Sequence, residues 1–326
     1  MGDDALWPRA GGWEPWGRLP ADVAVDLAFL GVPAWRTSLS PTGAYATPGA
    51  VRDALRRYSP ALLPDRSPTG TTTADDGAAA SGGSGARRAE VVDLGELLCA
   101  DLGDIGDPDS PEGEERTAAR VAEALARARK LVAVGGDNSI TVAVARGAWG
   151  EDLSRAGLVT LDAHLDLREG VSNGAPVRRL LEAGLDGRRV VQIGVADFTN
   201  SVAYARRAAE AGITLIHRDE LHRRPIGEVM AEAFEIAGAA GGPIHVDLDV
   251  DVCDRSVAPG CPASTPGGIA AWELRAAARA AGADPRVRSV DITEVDATAD
   301  APDGRTVRLA ALCVLEVLAG LATQPY

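Results

Sequence analysis

The sequence lacks the features that mark several common classes of protein. No apolar run reaches the roughly 18 residues needed to cross a bilayer, and no basic, apolar leader opens the chain, so neither a membrane span nor a secretion signal is predicted. Its four cysteines show no CxxC spacing, which favours reduced thiols in a cytoplasmic protein over disulfides. A formal net charge of −14 argues against nucleic acid or anionic membranes as partners.

Short apolar runs typical of strands alternate with stretches of helical periodicity along the sequence. This alternation predicts an α/β fold with a central, mostly parallel, eight-stranded sheet covered by helices on both faces. We expect strands at 28–32, 91–94, 131–134, 157–161, 190–195, 214–216, 243–247 and 287–292. The clearest predicted helices are 115–129, 201–211, 272–281 and 306–321.

One segment departs from this pattern. Residues 67–90 are rich in Gly, Ser, Ala and Thr and cannot bury much apolar surface, so a flexible surface insertion is predicted there. The strand and helix pattern resumes after it, so the insertion is not a domain boundary. We therefore expect one domain over residues 1–326, with an aromatic N-terminal arm at 1–25.

Two acidic strings, each directly after a predicted buried strand, are the most informative feature. The first places Asp162, His164 and Asp166 at alternate positions, and the second does the same with Asp249 and Asp251. Side chains two apart along a strand share a face, so each set can converge on one point. Carboxylates gathered there would repel one another unless a cation lay between them. Oxygen ligands with an imidazole suit a divalent ion such as Mn²⁺.

Two further polar elements lie at the ends of predicted strands. The glycine-rich run Gly135–Ser139 follows one strand and precedes a helix at Ile140, but it lacks the spacing of a phosphate-binding P-loop. Glu294 follows the last strand and could hold a cationic amidine or guanidine. Because sites in parallel sheets form beyond the carboxyl ends of the strands, all these elements are expected to meet there.

Taken in order, these motifs resemble the ureohydrolase family of arginase, agmatinase and formimidoylglutamase. The family's GGDHS, DAHxD, SxDxDxxDP and DxxEV motifs correspond to residues 135–139, 162–166, 247–255 and 291–295. The resemblance implies a three-layer α/β/α fold, and a pair of Mn²⁺ ions that activates water to hydrolyse a C–N bond. It also implies a homo-oligomer, a trimer or hexamer, acting on a small-molecule substrate.

The resemblance assigns roles residue by residue. Asp162 and Asp249 resemble carboxylates that bridge both metals, Asp166 resembles a ligand of the first, and His164 and Asp251 resemble ligands of the second. Catalytic roles follow for Glu294, which resembles the residue that grips the substrate's cationic group, and for Asp166, which is expected to pass a proton to the leaving amine. The third acid of the second string, Asp254, is expected to be structural.

Three positions depart from the family pattern. Asn138 stands where the family has a histidine ligand of the first metal, so it is predicted as a weaker, amide-oxygen ligand and occupancy of that site is doubtful. Asp247 stands where the family often has serine, and could add a carboxylate to that site, while Arg255 replaces a proline. His245, before this string, is expected to be a core histidine or a replacement ligand.

Three stretches resemble the formimidoylglutamase branch in particular: the loop 37–43, the Arg-containing variant of the first acidic string at 162–168, and the stretch 192–201. A substrate with two carboxylates calls for an arginine, and Arg168 is the candidate. The predicted substrate-binding residues are Arg168, Asn173, Asn200 and Glu294. The predicted reaction converts N-formimidoyl-L-glutamate and water to L-glutamate and formamide. The alternatives are an agmatinase or other guanidino-acid hydrolase, and a non-catalytic subunit with a degraded metal site.

Overall fold

The computed structural model describes residues 4, 6–63, 91–151 and 153–324. Its eleven strands are β1 (Glu14–Pro15), β2 (Val25–Val32), β3 (Ala61–Leu62), β4 (Val92–Asp93), β5 (Cys99–Asp104), β6 (Ala128–Gly135), β7 (Gly157–Leu161), β8 (Val190–Val195), β9 (Thr214–His217), β10 (Ile244–Asp249) and β11 (Val287–Thr293). Its α-helices are α1 (Thr47–Leu55), α2 (Pro111–Leu125), α3 (Ile140–Trp149), α4 (Pro176–Glu182), α5 (Val202–Ala211), α6 (Arg218–Leu221), α7 (Ile226–Ala237), α8 (Ala271–Ala283) and α9 (Arg305–Ala322).

A parallel sheet of nine strands forms the middle layer, in the order β1-β5-β2-β6-β11-β10-β7-β8-β9. Its central strands are apolar on both faces because helices cover both. Helices α1, α7, α8 and α9 pack in one apolar cluster on one face, and α2 to α5 pack on the other. The predicted three-layer α/β fold is confirmed, and the sheet has nine strands in place of the predicted eight, because the short β1 pairs with β5.

Two predicted elements differ from the structure. The predicted strand at 91–94 is wrong as a member of the main sheet: β4 pairs antiparallel with β3, and the chain then turns where Asp93 accepts a hydrogen bond from Gly95 N. The strand in the main sheet is β5. Because it contains aspartates and a glycine, it lacks the hydrophobic pattern from which the other strands were predicted. The helix predicted at 115–129 begins earlier, where Ser110 caps Gly113 N, and it ends at Leu125 because the following residues enter β6.

The remaining predictions about chain organisation concern the terminal arm and the insertion. Within the N-terminal arm, Trp16 is buried and Trp13 packs against Phe29 of β2, so this part of the arm lies on the domain. The predicted insertion at 67–90 lies outside the described residues. In the described part of the chain, no helix is both long and apolar enough to cross a membrane.

Lys130, the only lysine of the sequence, is buried at the amino end of β6. Its ammonium donates to the carbonyl oxygens of Asp284, 2.6 Å away, and Val287, 2.5 Å away. Burial lowers the pKa of Lys130 to about 7. The nearby Asp284 carboxylate acts to raise this pKa, while the cationic side chains of Arg288 and Arg129 lower it further. Removing a charged amine from water is costly, and two carbonyl oxygens offset only part of that cost.

This burial predicts a pH dependence of stability. The folded pKa of Lys130 is below its unfolded value of about 10.4, so between about pH 7 and 10 the unfolded chain binds more protons and the free energy of unfolding rises with pH. Denaturant unfolding at pH 7 and pH 9.5 should show this rise, of up to a few kcal/mol, in the parent protein. Lys130→Met should lack it, and equal pH slopes for the two proteins would contradict the assignment.

Candidate metal centre and active site

The loops after β6, β7, β10 and β11 bring the predicted site residues together at the carboxyl edge of the sheet. Parallel order places β11, β10 and β7 side by side, with β6 next to β11, so their ends share one edge. Gly136 makes the approach possible: a Cβ there would lie 1.9 Å from the carbonyl oxygen of Ala34. Its carbonyl oxygen accepts from Glu294 N at 2.8 Å, which joins the β6 loop to the β11 loop.

The tightest group of potential ligands consists of Asp162, His164 and Asp251, whose ligand atoms all lie within 4.8 Å of one another. His164 Nδ1 is 2.6 Å from Asp251 Oδ2 and 3.4 Å from Asp162 Oδ1. Backbone amides orient both carboxylates: His164 N donates to Asp162 Oδ1 at 2.6 Å, and Ala163 N donates to Asp251 Oδ1 at 3.0 Å. Asp162 Oδ2 is buried and accepts no hydrogen bond from the described residues.

The charges of this cluster call for a cation. Burial, and then the neighbouring Asp251, raise the pKa of Asp162 to about 7, and burial with nearby carboxylates raises the pKa of Asp166 and Asp249 well above the usual range. Burial alone would lower the pKa of His164, but the carboxylates of Asp251 and Asp162 outweigh it and raise the value to about 12. A divalent ion would neutralise the same carboxylates that hold this proton. The residues therefore fit a metal of the kind that prefers oxygen and imidazole ligands.

Asn138 is placed differently from a metal ligand. Its Nδ2 donates to Asp166 Oδ2 at 2.7 Å, while its Oδ1 accepts from the hydroxyls of Thr141, at 2.7 Å, and Thr293, at 3.1 Å. In this orientation the amide presents a hydrogen-bond donor to the cluster, so the predicted ligand role would require the amide to turn over. Sequence reasoning missed both threonines, although Thr141 lies one helical turn after Asn138 and Thr293 directly precedes Glu294.

Glu294 is buried beside the cluster with one carboxylate oxygen free. Oε1 accepts from Asn138 N and from Asn173 Nδ2, each at 2.8 Å, while Oε2 accepts no hydrogen bond from the described residues. Burial raises the pKa of Glu294 to about 8, although the hydrogen bond from Asn173 stabilises the charged carboxylate and acts in the opposite direction. Asp166 and Glu294 both have left-handed backbones, with φ of 51° and 60°, which non-glycine residues adopt at a cost of about 1 kcal/mol or more. Such strain is concentrated at functional sites.

A cavity of about 280 Å³ opens next to the cluster. Members of all three predicted sets of site residues line it: metal ligands, catalytic acids and the substrate-binding candidates Arg168, Asn173 and Asn200. The residues that complete its wall are Leu39, Ser40, Leu167, Gly174, Thr199, Ser201, Tyr204 and Ala263. Of these, only Gly174, Tyr204 and Ala263 lie outside the stretches 37–43, 162–168 and 192–201 noted in the sequence. Leu39 and Ser40 belong to the predicted loop 37–43, which is held by Asp296 through Gly43 N at 2.7 Å.

The three predicted substrate-binding residues differ in how free they are. Asn200 Oδ1 accepts from Leu165 N at 2.9 Å and its Nδ2 donates to Ala163 O at 3.1 Å, so its amide is engaged by the backbone of the first acidic string. Asn173 Oδ1 accepts from Leu39 N at 3.0 Å while its Nδ2 holds Glu294. The guanidinium of Arg168 has no partner among the described residues, and its side chain packs over Gly174, where a Cβ would lie 2.7 Å from Arg168 Cδ. The sequence has only three asparagines, which are Asn138, Asn173 and Asn200.

Two further polar residues in and before the second string, Asp254 and His245, do not line the cavity. His245 is fully buried, with Nδ1 2.7 Å from Ser289 Oγ and Nε2 3.2 Å from Asp291 Oδ2, so it is a core histidine and its alternative role as a replacement ligand is wrong. Asp254 accepts from Ser256 N at 2.8 Å and from Gly267 N at 2.7 Å, which confirms it as structural.

A parallel sheet covered by helices on both faces, with carboxylates and an imidazole gathered at its carboxyl edge, makes this an α/β protein with a candidate metal-binding site. The chain belongs to the arginase family, whose model matches residues 25–320.

The formimidoylglutamase of Halalkalibacterium halodurans is 32% identical over 304 residues, which cover 90% of this chain and 86% of that protein. The Bacillus subtilis formimidoylglutamase is 30% identical over 312 residues, covering 92% and 88%. The crystal structure of the Bacillus subtilis formimidoylglutamase aligns with 100% of this chain and 95% of its own, with a TM-score of 0.82 and 27% identity.

Proposed function

We propose that this chain is a manganese-dependent hydrolase that cleaves a C–N bond of N-formimidoyl-L-glutamate, giving L-glutamate and formamide. One observation carries the choice of substrate: the unpartnered guanidinium of Arg168 lines the cavity beside the carboxylate cluster. Among the described residues of the cavity wall it is the only arginine or lysine. A cation so placed favours a substrate with carboxylate groups at the end remote from the bond that is cleaved.

The carboxylate cluster supports manganese as the metal. Asp162, His164, Asp249 and Asp251 would hold one ion, and Asp162, Asp166 and Asp249 would hold a second. When bound, manganese makes hydroxide available near neutral pH by lowering the pKa of water. The site of Asp162, Asp166 and Asp249, which corresponds to the first metal of the family pattern, lacks an imidazole ligand because the position is Asn138, so we expect it to bind more weakly.

The chain's own residues orient the substrate and move its protons. The free Oε2 of Glu294 faces the cavity and can accept a hydrogen bond from the formimidoyl nitrogen, and Asn138 N and Asn173 Nδ2 fix the carboxylate in that position. Water adds to the formimidoyl carbon, the bond from that carbon to the glutamate nitrogen breaks, and the leaving amine takes up a proton. Asp166, whose other oxygen is fixed by Asn138, is placed to carry that proton.

We also infer that the protein is cytoplasmic and that it forms a homo-oligomer. The four cysteines of the sequence are all buried as free thiols, which suits a reducing compartment. Light scattering on the purified protein would establish whether a trimer or hexamer forms.

A substrate panel tests the proposal. The Mn²⁺-loaded protein is assayed with formimidoylglutamate, agmatine, arginine and guanidinobutyrate, and we expect the highest kcat/KM for formimidoylglutamate. Agmatine has no carboxylate to engage Arg168, so a preference for agmatine would overturn the choice of substrate and favour an agmatinase. A preference for guanidinobutyrate would retain the role of Arg168 but indicate a guanidino-acid hydrolase. No turnover of any of the four by protein that binds Mn²⁺ would indicate a non-catalytic subunit.

A further inference from the structure

A band of polar side chains lies inside the core, beneath the candidate metal centre. On β10 and β11, the residues at alternate positions on the face covered by α3 are polar: His245, Asp247, Ser289, Asp291 and Thr293. All five are at most 1% exposed. The opposite face of the same two strands is apolar and packs in the core cluster of α7, α8 and α9. Polar groups are costly to bury, so a band this deep requires a reason.

The lower part of the band is not a second catalytic site. Asp291, His245 and Ser289 are hydrogen-bonded in the order found in serine hydrolases, with distances of 3.2 Å and 2.7 Å. None of the three has any exposed surface, and Trp149 of α3 lies edge-on over the His245 ring at 6.2 Å. No substrate can reach this serine, so the group is a buried polar cluster of the core, next to Asp247, which lies opposite Asp291 in the strand register.

The upper part of the band connects Asp247 to the metal centre. Thr293 Oγ1 lies 3.3 Å from Asp247 Oδ1 on one side and 3.1 Å from Asn138 Oδ1 on the other. The single hydroxyl hydrogen of Thr293 can be donated to only one of these two oxygens, and the contact with Asn138 Oδ1 is the shorter of the two. A second hydroxyl, that of Thr141, donates to the same Asn138 oxygen at 2.7 Å. With hydroxyl donors at its oxygen and the Asp166 carboxylate, which can only accept, at its other end, the amide turns its nitrogen to Asp166.

We propose that Thr293 is a positioning residue of the metal centre, which holds the amide of Asn138 so that its nitrogen donates to Asp166. The carboxylate of Asp166 then has one oxygen fixed and the other directed toward the cavity. This inference rests on the proposed metal-dependent function for its importance, but the arrangement of the amide can be measured without metal or substrate. The Thr293 hydroxyl also lies between two positions where the sequence departs from the family pattern, Asn138 and Asp247.

The structure offers a matched control for the central substitution. Thr160 lies on β7, directly opposite Asp247 in the register, and is as deeply buried as Thr293. Its hydroxyl has no hydrogen-bond partner among the described residues. Thr293→Val and Thr160→Val therefore remove the same group from the same layer of the core, but only the first removes a contact to Asn138. Thr293→Ser keeps the hydroxyl and serves as the rescue variant.

The amide of Asn138 can be observed directly because the sequence has only three asparagines. In metal-free protein labelled with ¹⁵N-asparagine, three side-chain NH₂ groups give signals, and substitution of each asparagine in turn assigns them. We expect Thr293→Val to speed the solvent exchange of the Asn138 NH₂ hydrogens several-fold. Thr160→Val and Thr293→Ser should leave the exchange rate as in the parent protein.

Equilibrium binding of Mn²⁺ gives the functional readout. Loss of a group that orients a metal ligand typically lowers metal affinity about tenfold or more, and we expect that loss for Thr293→Val but not for Thr160→Val. In an Asn138→His background the amide is absent, so Thr293→Val should then change Mn²⁺ affinity little. Unchanged exchange of the Asn138 NH₂ in Thr293→Val would overturn the proposal, as would equal losses of affinity in the two backgrounds. If formimidoylglutamate were not hydrolysed, that result would contradict the proposed function but not the proposed arrangement of the Asn138 amide.

Discussion

Asp251→Asn should abolish most manganese binding and lower turnover by roughly a hundred- to a thousandfold. The expected loss corresponds to the several kcal/mol of charge stabilisation that a metal contributes to a hydrolytic transition state. Asparagine has the shape of aspartate and can keep the bond from Ala163 N, so the fold should persist while the negative charge beside His164 is lost. Bound manganese is measured by elemental analysis and turnover with formimidoylglutamate.

Asp254→Asn is the matched control for this prediction. Asp254 belongs to the same acidic string, but its carboxylate accepts hydrogen bonds from the backbone at Ser256 and Gly267 and does not line the cavity. The control should retain metal and activity. Parent-like metal content and turnover in Asp251→Asn would remove Asp251 from the metal centre, and corresponding tests on Asp162 and Asp249 would then decide whether the cluster binds metal at all.

Arg168→Ala should lower kcat/KM for formimidoylglutamate by roughly ten- to a hundredfold. A charge-assisted hydrogen bond from guanidinium to carboxylate contributes about 1.5–3 kcal/mol, which corresponds to that range. The loss should be much smaller for an analogue that lacks the carboxylates, because such a substrate makes no bond to Arg168. Steady-state kinetics with both compounds measures the difference.

A second arginine provides the control for a general effect of charge. Arg206 lies on α5 and is exposed, but it does not line the cavity, so Arg206→Ala should leave both substrates unaffected. Gly174→Ala gives an independent check, since a methyl group there would displace the Arg168 side chain and reproduce part of the loss. Equal losses for both substrates in Arg168→Ala would assign the residue to the stability of the loop.

The sequence predicts the location of the site well because strands and acidic strings carry strong local signals. Gly157–Leu161 is a run of buried residues that can only be a strand in the middle of a sheet, so the position of Asp162 follows from it. The same holds for β10 and Asp249. Once parallel strands are assumed, their carboxyl ends must meet, and the approach of these residues needs no knowledge of strand order.

Other features depend on partners far apart in sequence and could not be predicted. The direction of the Asn138 amide is decided by hydroxyls of Thr141 and Thr293, one of which comes from a strand 155 residues away. The sequence also gives no sign that Asn200 is occupied by backbone groups. Strand β5 was misplaced because pairing with both β1 and β2 stabilises an Asp- and Gly-containing segment that has weak strand propensity by itself.

The burial of the single lysine leaves the folded surface without a lysine amine. An amine-directed reagent, such as a succinimide ester, then finds no accessible lysine side chain on the folded protein. Modification at Lys130 requires the amino end of β6 to open, so its rate follows unfolding of the sheet. The appearance of a label on Lys130 therefore counts the molecules that have opened.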